Sequence, residues 1–279
     1  MLQGPPIETL PLFAELDRLL LELLRSLTPE DWQRPTLARE WTVKDVAAHL
    51  LDGNLRTLSM LRDGHFGQAP AASSYGGLVA CLNRLNAEWV RAARRLSPAI
   101  LMELLAQSGA EYTAYLHTLD PWAPAPFSVA WAGESASQNW FHVARDYTEK
   151  WHHQQQIRAA VGQAAPLMVP GFFRPFIETV LRGLPHAYRT VAAPVGAMVQ
   201  VRIETESGGL WQLVKAAGGW QLLAGEAPAR PAAEVVLPAE VAWRLFTKGM
   251  SPAEARPLVR ISGDIELAET ALRLVAVMA

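Results

Sequence analysis

The chain has 279 residues, of which half are hydrophobic and 19% charged, with a formal net charge of −2. That balance is ordinary for a globular protein and supplies no basic excess for nucleic acid or acidic lipid. One cysteine, Cys81, excludes an intrachain disulfide framework and a thiolate zinc cluster, so any metal here must be held by His, Asp or Glu.

The N-terminal stretch "MLQGPPIETLPLF" lacks a basic segment followed by an apolar core, and no uncharged apolar run approaches the ~18 residues that span a bilayer. The expectation is a cytoplasmic protein without a membrane segment. Leucines at helical spacing, Leu16, Leu19, Leu20, Leu23, Leu24 and Leu27, predict a first helix, broken by Pro29 and Pro35. Thr42 followed by Asp45 reads as a capping box for a second helix running to Gly64. "SSYGGLVACLNRLNAEWVRAARRL" is a third helix, with Cys81 as a small packed residue. Ser97 and Pro98 start a fourth. After the proline-rich "DPWAPAPF", Ser135 or Ser137 begins a fifth, ending at Gly162. Short, Pro- and Gly-marked connections make a four-helix bundle the natural packing, over a domain of residues 1–165.

The pattern changes after "GQAAPLMVPG". "FFRPFIETVLRGL" is helical. "AMVQVRIET", "LWQLVKAA" and "WQLLAGE", separated by glycine turns, predict a three-stranded meander. "AEVVLP" is a fourth strand, "AEVAWRLFTKGMS" a helix, "LVRISGD" a fifth strand and "IELAETALRLVAVMA" a closing helix. Residues 166–279 therefore form a smaller α+β domain.

The fifth helix holds the chemistry. With 100° per residue, His142, Asp146, Glu149 and His153 fall within about 60° of one another. Glu149 and His153, one turn apart, can reach a single ion. The competing reading is a solvated stripe opposite a core face of Trp140, Ala144, Tyr147 and Trp151. Arg145, Thr148, His152 and Gln155 already make an ordinary wet face, which favours the metal reading for the other stripe. A third donor must come from elsewhere. His49, at the edge of an apolar stripe in "DVAAHLL", is the best candidate. His65, His117 and His186 read as structural or solvated.

"EWTVKDVAAHLL", followed by Glu-x-x-x-His on a late helix, resembles the DinB/YfiT-like superfamily. More narrowly it resembles the mycothiol-dependent maleylpyruvate isomerase group. The resemblance covers nearly the whole chain and implies an N-terminal bundle that binds a divalent metal, usually zinc, through His49, Glu149 and His153. "VRIETESGGLWQLVKAAGGWQLL" and "VRISGDIELAETALRLVAVMA" resemble that group's C-terminal domain, which is similar to sterol-carrier-protein folds. The implied cofactors are Zn²⁺ and a low-molecular-weight thiol such as mycothiol or bacillithiol. The implied partner is an electrophilic or unsaturated small molecule, taken through cis–trans isomerisation or S-transfer. Two alternatives stay open: a hydrolase using zinc-activated water, and a non-catalytic binder of a small apolar ligand. His142 and Asp146 are stripe neighbours of the ligand pair. Arg244 and Lys248, on the helix of the second domain, are candidates to meet an anionic substrate or are plain surface cations.

Overall fold

The computed structural model describes residues 5–67, 74–223 and 230–277. The predicted starts and ends that fall elsewhere (Ser73, Ala224 to Glu226, Met278 and Ala279) lie outside the described residues. The chain forms two compact units that do not follow it in order. One comprises residues 9–126 and 149–166, the other 127–148 and 167–277 with the N-terminal residues.

The first unit is helical: α1 (Phe13–Ser26), α2 (Val43–Thr57), α3 (Tyr75–Ala93), α4 (Pro98–Leu116) and the second half of α5 (Asn139–Ala160). Pro11 confines the residues before α1 to a 3-10 turn. α1 buries Phe13, Leu16, Leu20, Leu23 and Leu24 along one face, as leucine at helical spacing requires. Leu20, Leu23 and Leu24 meet Val43, Val46, Ala47, Leu50 and Leu51 of α2, and Leu101 and Leu105 of α4, in one apolar core. Each fully buried leucine there stabilises the fold by about 1.5–3 kcal/mol relative to exposure. α2 ends earlier than the sequence suggests: Leu58–Arg62 form a π turn before Gly64, where φ is +69°. Cys81 is half-exposed, its sulfur beside the Arg84 guanidinium, so it is not the packed residue that its apolar neighbours implied.

α5 departs most from expectation. Thr148, His152 and Gln155, read as a wet face, are 1%, 3% and 0% exposed, and Arg145 is half-buried. Helical periodicity reports the angle around one axis, not which neighbours surround it, and α5 is enclosed on nearly every side. Its polar groups are accordingly partnered. Lys150 Nζ pairs with Asp17 Oδ1 at 2.8 Å, Arg158 Nη2 donates to Leu19 O at 3.0 Å, and Gln155 Nε2 donates to Ala164 O at 3.1 Å.

In the second unit, α6 (Pro170–Leu181) and α7 (Leu184–Ala187) lead to β1 (Met198–Glu204), β2 (Gly209–Ala216), β3 (Gly219–Leu223) and β4 (Ala233–Pro238). There follow α8 (Ala239–Phe246), α9 (Pro252–Ala255), β5 (Arg260–Gly263) and α10 (Ile265–Ala271). The five-stranded sheet has the order β3-β2-β1-β4-β5. β1, β2 and β3 form the antiparallel meander. β4 lies parallel to β1 on its other side, Val201 opposite Val235, and β5 returns antiparallel to β4. α10 stops at Ala271. The apolar tail predicted to continue it runs on as non-helical chain, tied down where Ala276 N–H donates to Phe246 O at 2.9 Å. Among the described residues no helix is long and apolar enough to cross a membrane.

Candidate metal centre

Two helices of the first unit build the site. α2 is fixed at its start by a complete capping box: Thr42 Oγ1 accepts from Asp45 N–H, and Asp45 Oδ2 accepts from Thr42 N–H at 3.1 Å. Arg94 clamps the same carboxylate from outside, Nε to Oδ1 at 2.9 Å and Nη2 to Oδ2 at 3.0 Å. Burial alone pushes the Asp45 carboxyl up, but the Arg94 guanidinium and the Thr42 donors outweigh it and hold it below the usual carboxylate range. One turn on, Trp89 Nε1 donates to Ala48 O at 2.8 Å, holding α2 just before His49. The His49 ring rests 4.8 Å from that of Trp41, and its buried Nδ1 has no hydrogen-bond partner.

α5 brings Glu149, His152, His153 and Gln156 to the same place. The His153 and His49 rings meet edge to face, centroids 4.6 Å apart. His153 Nδ1 lies 3.0 Å from Gln156 Oε1. That contact makes Nδ1 the protonated nitrogen and leaves a lone pair on Nε2. Nε2 in turn lies 3.6 Å from Glu149 Oε2. Two donor atoms each ~2.0–2.2 Å from one tetrahedral ion stand about 3.3–3.6 Å apart, so this acceptor pair has the spacing of two ligands. Both imidazoles are held neutral, as metal binding requires. Burial lowers the His49 pKa well below the ordinary value, with His153 and then Arg56 adding to the effect. Burial likewise lowers His153, followed by the His152 ring, against a smaller opposing contribution from Gln156. An orphaned ring nitrogen, a carboxylate and a tautomer-locked imidazole suit a borderline-soft divalent cation such as Zn²⁺.

The structure adds a residue that sequence reasoning placed elsewhere. The His152 ring packs 3.9 Å from that of His153, and donor atoms of Glu149, His152 and His153 all lie within 4.8 Å of one another. Gln156 was also missed, although a glutamine three residues after a candidate ligand histidine is a spacing at which helical side chains meet.

The remaining candidates make contacts of their own. His142 and Asp146 belong to the second unit by their contacts. Arg145 Nη2 lies 3.0 Å from His142 Nδ1 and donates to Asp146 Oδ1 at 2.8 Å, and Phe127 packs on His142. His65 and His117 are exposed, as expected of solvated histidines, and His186 is half-buried against Gly133. Arg244 Nη2 donates to Glu240 Oε2 at 3.1 Å within its own helix, its guanidinium over Trp243. Lys248 is exposed at the helix end.

Together these features define a two-part protein: a helical bundle in which Glu149, His152 and His153 cluster on α5 with the His49 ring of α2 against His153, then a five-stranded mixed sheet flanked by helices. Residues 13–158 match the model of the mycothiol maleylpyruvate isomerase N-terminal domain, and the chain belongs to that family. Among solved structures it is similar to a mycothiol-dependent maleylpyruvate isomerase, with 12% identity over 85% of this chain and 88% of that one and a TM-score of 0.45. A histidine-to-alanine mutant of a mycothiol-dependent maleylpyruvate isomerase gives 12% identity over 92% of this chain and 95% of that one, also at a TM-score of 0.45. The sterol carrier protein 2 like 2 of Aedes aegypti matches 36% of this chain and 95% of its own at 20% identity, TM-score 0.26. No curated protein matches the chain.

Proposed function

We propose that the chain is a thiol-dependent isomerase whose bundle holds a divalent metal, most simply Zn²⁺, through His49, Glu149 and His153. The observation that carries this reading is the lone-pair-bearing Nε2 of His153 facing Glu149 Oε2 at 3.6 Å, with the His49 ring against the same imidazole. When bound, the metal supplies a Lewis-acidic centre that keeps a small thiol such as mycothiol or bacillithiol deprotonated near neutral pH, and the thiol supplies reversible addition to an activated double bond, the chemistry of cis–trans isomerisation.

The chain's own residues prepare the site for this. Burial keeps both imidazoles neutral and ready to donate lone pairs. Gln156 fixes which nitrogen of His153 carries the proton. Holding a divalent ion, His49, Glu149 and His153 would leave room for the thiol, and two neutral imidazoles with one carboxylate would leave the ion a net positive charge. S-transfer to an electrophile uses the same arrangement and is the second outcome the chemistry allows.

Elemental analysis of the purified protein tests the core of the reading. About one metal per chain is expected, with a shift in the visible spectrum of a cobalt-substituted sample on adding a small thiol. No metal after zinc addition overturns it. A spectrum indifferent to thiols, with hydrolytic activity present, returns the site to the hydrolase alternative.

A further inference from the structure

We propose that Arg56 is the specificity residue of this site, the group that takes a carboxylate on the substrate; this rests on the isomerase reading above. On α2 the side chains at 49, 53 and 56 lie within about 60° of one another, so the candidate ligand His49, Gly53 and Arg56 follow each other along one face. Gly53 is half-buried, yet among the described residues a Cβ placed there meets nothing within 4 Å, which leaves space at this point one turn beyond His49.

Arg56 borders that open face and is held for a purpose other than closing a core. Its Nε pairs with Asp52 Oδ2 at 3.1 Å, and its Nη2 donates to Asn86 Oδ1 of α3 at 3.2 Å. Asp52 is one turn nearer His49, so the ion pair bends the guanidinium back along the helix towards the site, the direction helical side chains prefer. The Arg56 side chain remains 35% exposed while Asp52 and Asn86 are 6% and 7% exposed. The two buried partners thus orient a cation whose outer edge stays accessible. The two contacts engage Nε and Nη2. A guanidinium fixed on one side with donors left on the other matches a planar carboxylate better than a lysine ammonium would.

The experiment compares Asp52→Asn with the double variant Asp52→Asn/Arg56→Gln in the as-purified protein, titrated with succinate and with dimethyl succinate and followed by ligand-observed NMR. Neutralising both members together avoids stranding the buried Asp52 carboxylate and keeps the pair's shape. Succinate affinity is expected to fall about tenfold or more from the single to the double variant, the value of a charge-assisted hydrogen bond, with the neutral ester unaffected. Equal succinate affinity in the two variants overturns the proposal, as does an equal loss for acid and ester. Metal content is measured on the same samples. Its absence from the wild-type chain would count against the isomerase reading and leave the succinate comparison legible, because both variants share whatever the site holds.

Discussion

His49 and His153 meet edge to face, ring centroids 4.6 Å apart and planes at 76°, one from α2 and the other from α5. Two neutral imidazoles in that contact gain little from each other beyond packing. Each loses hydration, and His49 Nδ1 finds no replacement partner. A buried polar atom left so costs about 1–3 kcal/mol. An arrangement with that cost, beside a carboxylate, is what a preformed ligand set looks like.

Replacing His153 with Ala is expected to abolish metal binding, and His49→Ala to do the same or weaken it severely. His152→Ala discriminates the two donor trios: it should retain metal if His49 is the third ligand. Elemental stoichiometry after dialysis reads all three, with far-ultraviolet circular dichroism as the fold control. Full stoichiometry in His49→Ala together with loss in His152→Ala would transfer the third ligand to α5.

Gln156→Leu removes the acceptor that fixes the His153 tautomer. Losing such an outer partner is expected to weaken metal affinity by about 10–100-fold while leaving the ligands in place. Competition with a colorimetric chelator measures it, and an unchanged affinity would show that the 3.0 Å contact is incidental.

The two buried acids of α2 are expected to respond to pH in opposite senses. Asp45 has a lowered pKa in the folded chain, so its contribution is full above the unfolded value near ~4 and is lost as pH falls through the folded one. Asp52 is raised by burial, against the smaller pull of Arg56. Its ionised form therefore disfavours the fold at neutral pH, and the cost starts to fall as pH drops to the raised value and is gone below the unfolded value near ~4. Asp45→Asn should destabilise the protein at pH 7 and progressively less on acidification. Asp52→Asn should stabilise it at pH 7, with that gain shrinking at low pH. Denaturant midpoints at several pH values test this, and parallel curves for the two variants would refute it.

Gly263 closes β5 with φ of +79°, and a Cβ there would collide with the backbone of Ala232. Gly263→Ala is expected to cost about 1–3 kcal/mol or more, since neither the dihedral nor the main-chain neighbour can yield cheaply. A thermal midpoint within a degree of the wild type would contradict this.

Much of this architecture is written locally. The Thr42–Asp45 box, the Ser97–Pro98 start of α4 and the glycine turns of the meander are decided by groups within a few residues of one another. The placing of Glu149 over His153 follows from the helical step alone. What periodicity could not supply was the environment of α5. Its stripe of Thr148, His152 and Gln155 is polar and was read as wet, yet the fold encloses it, because burial depends on which elements pack around a helix and not on the helix's own pattern. The same limit hid the contacts of His152 with His153 and of Arg56 with Asn86, the parallel insertion of β4 beside β1, and the early end of α10. The sequence determined the elements and the ligand-type residues they carry. The tertiary structure alone decided which of those residues lose water together, and that loss of water is what turns adjacent imidazoles and a carboxylate into a candidate site.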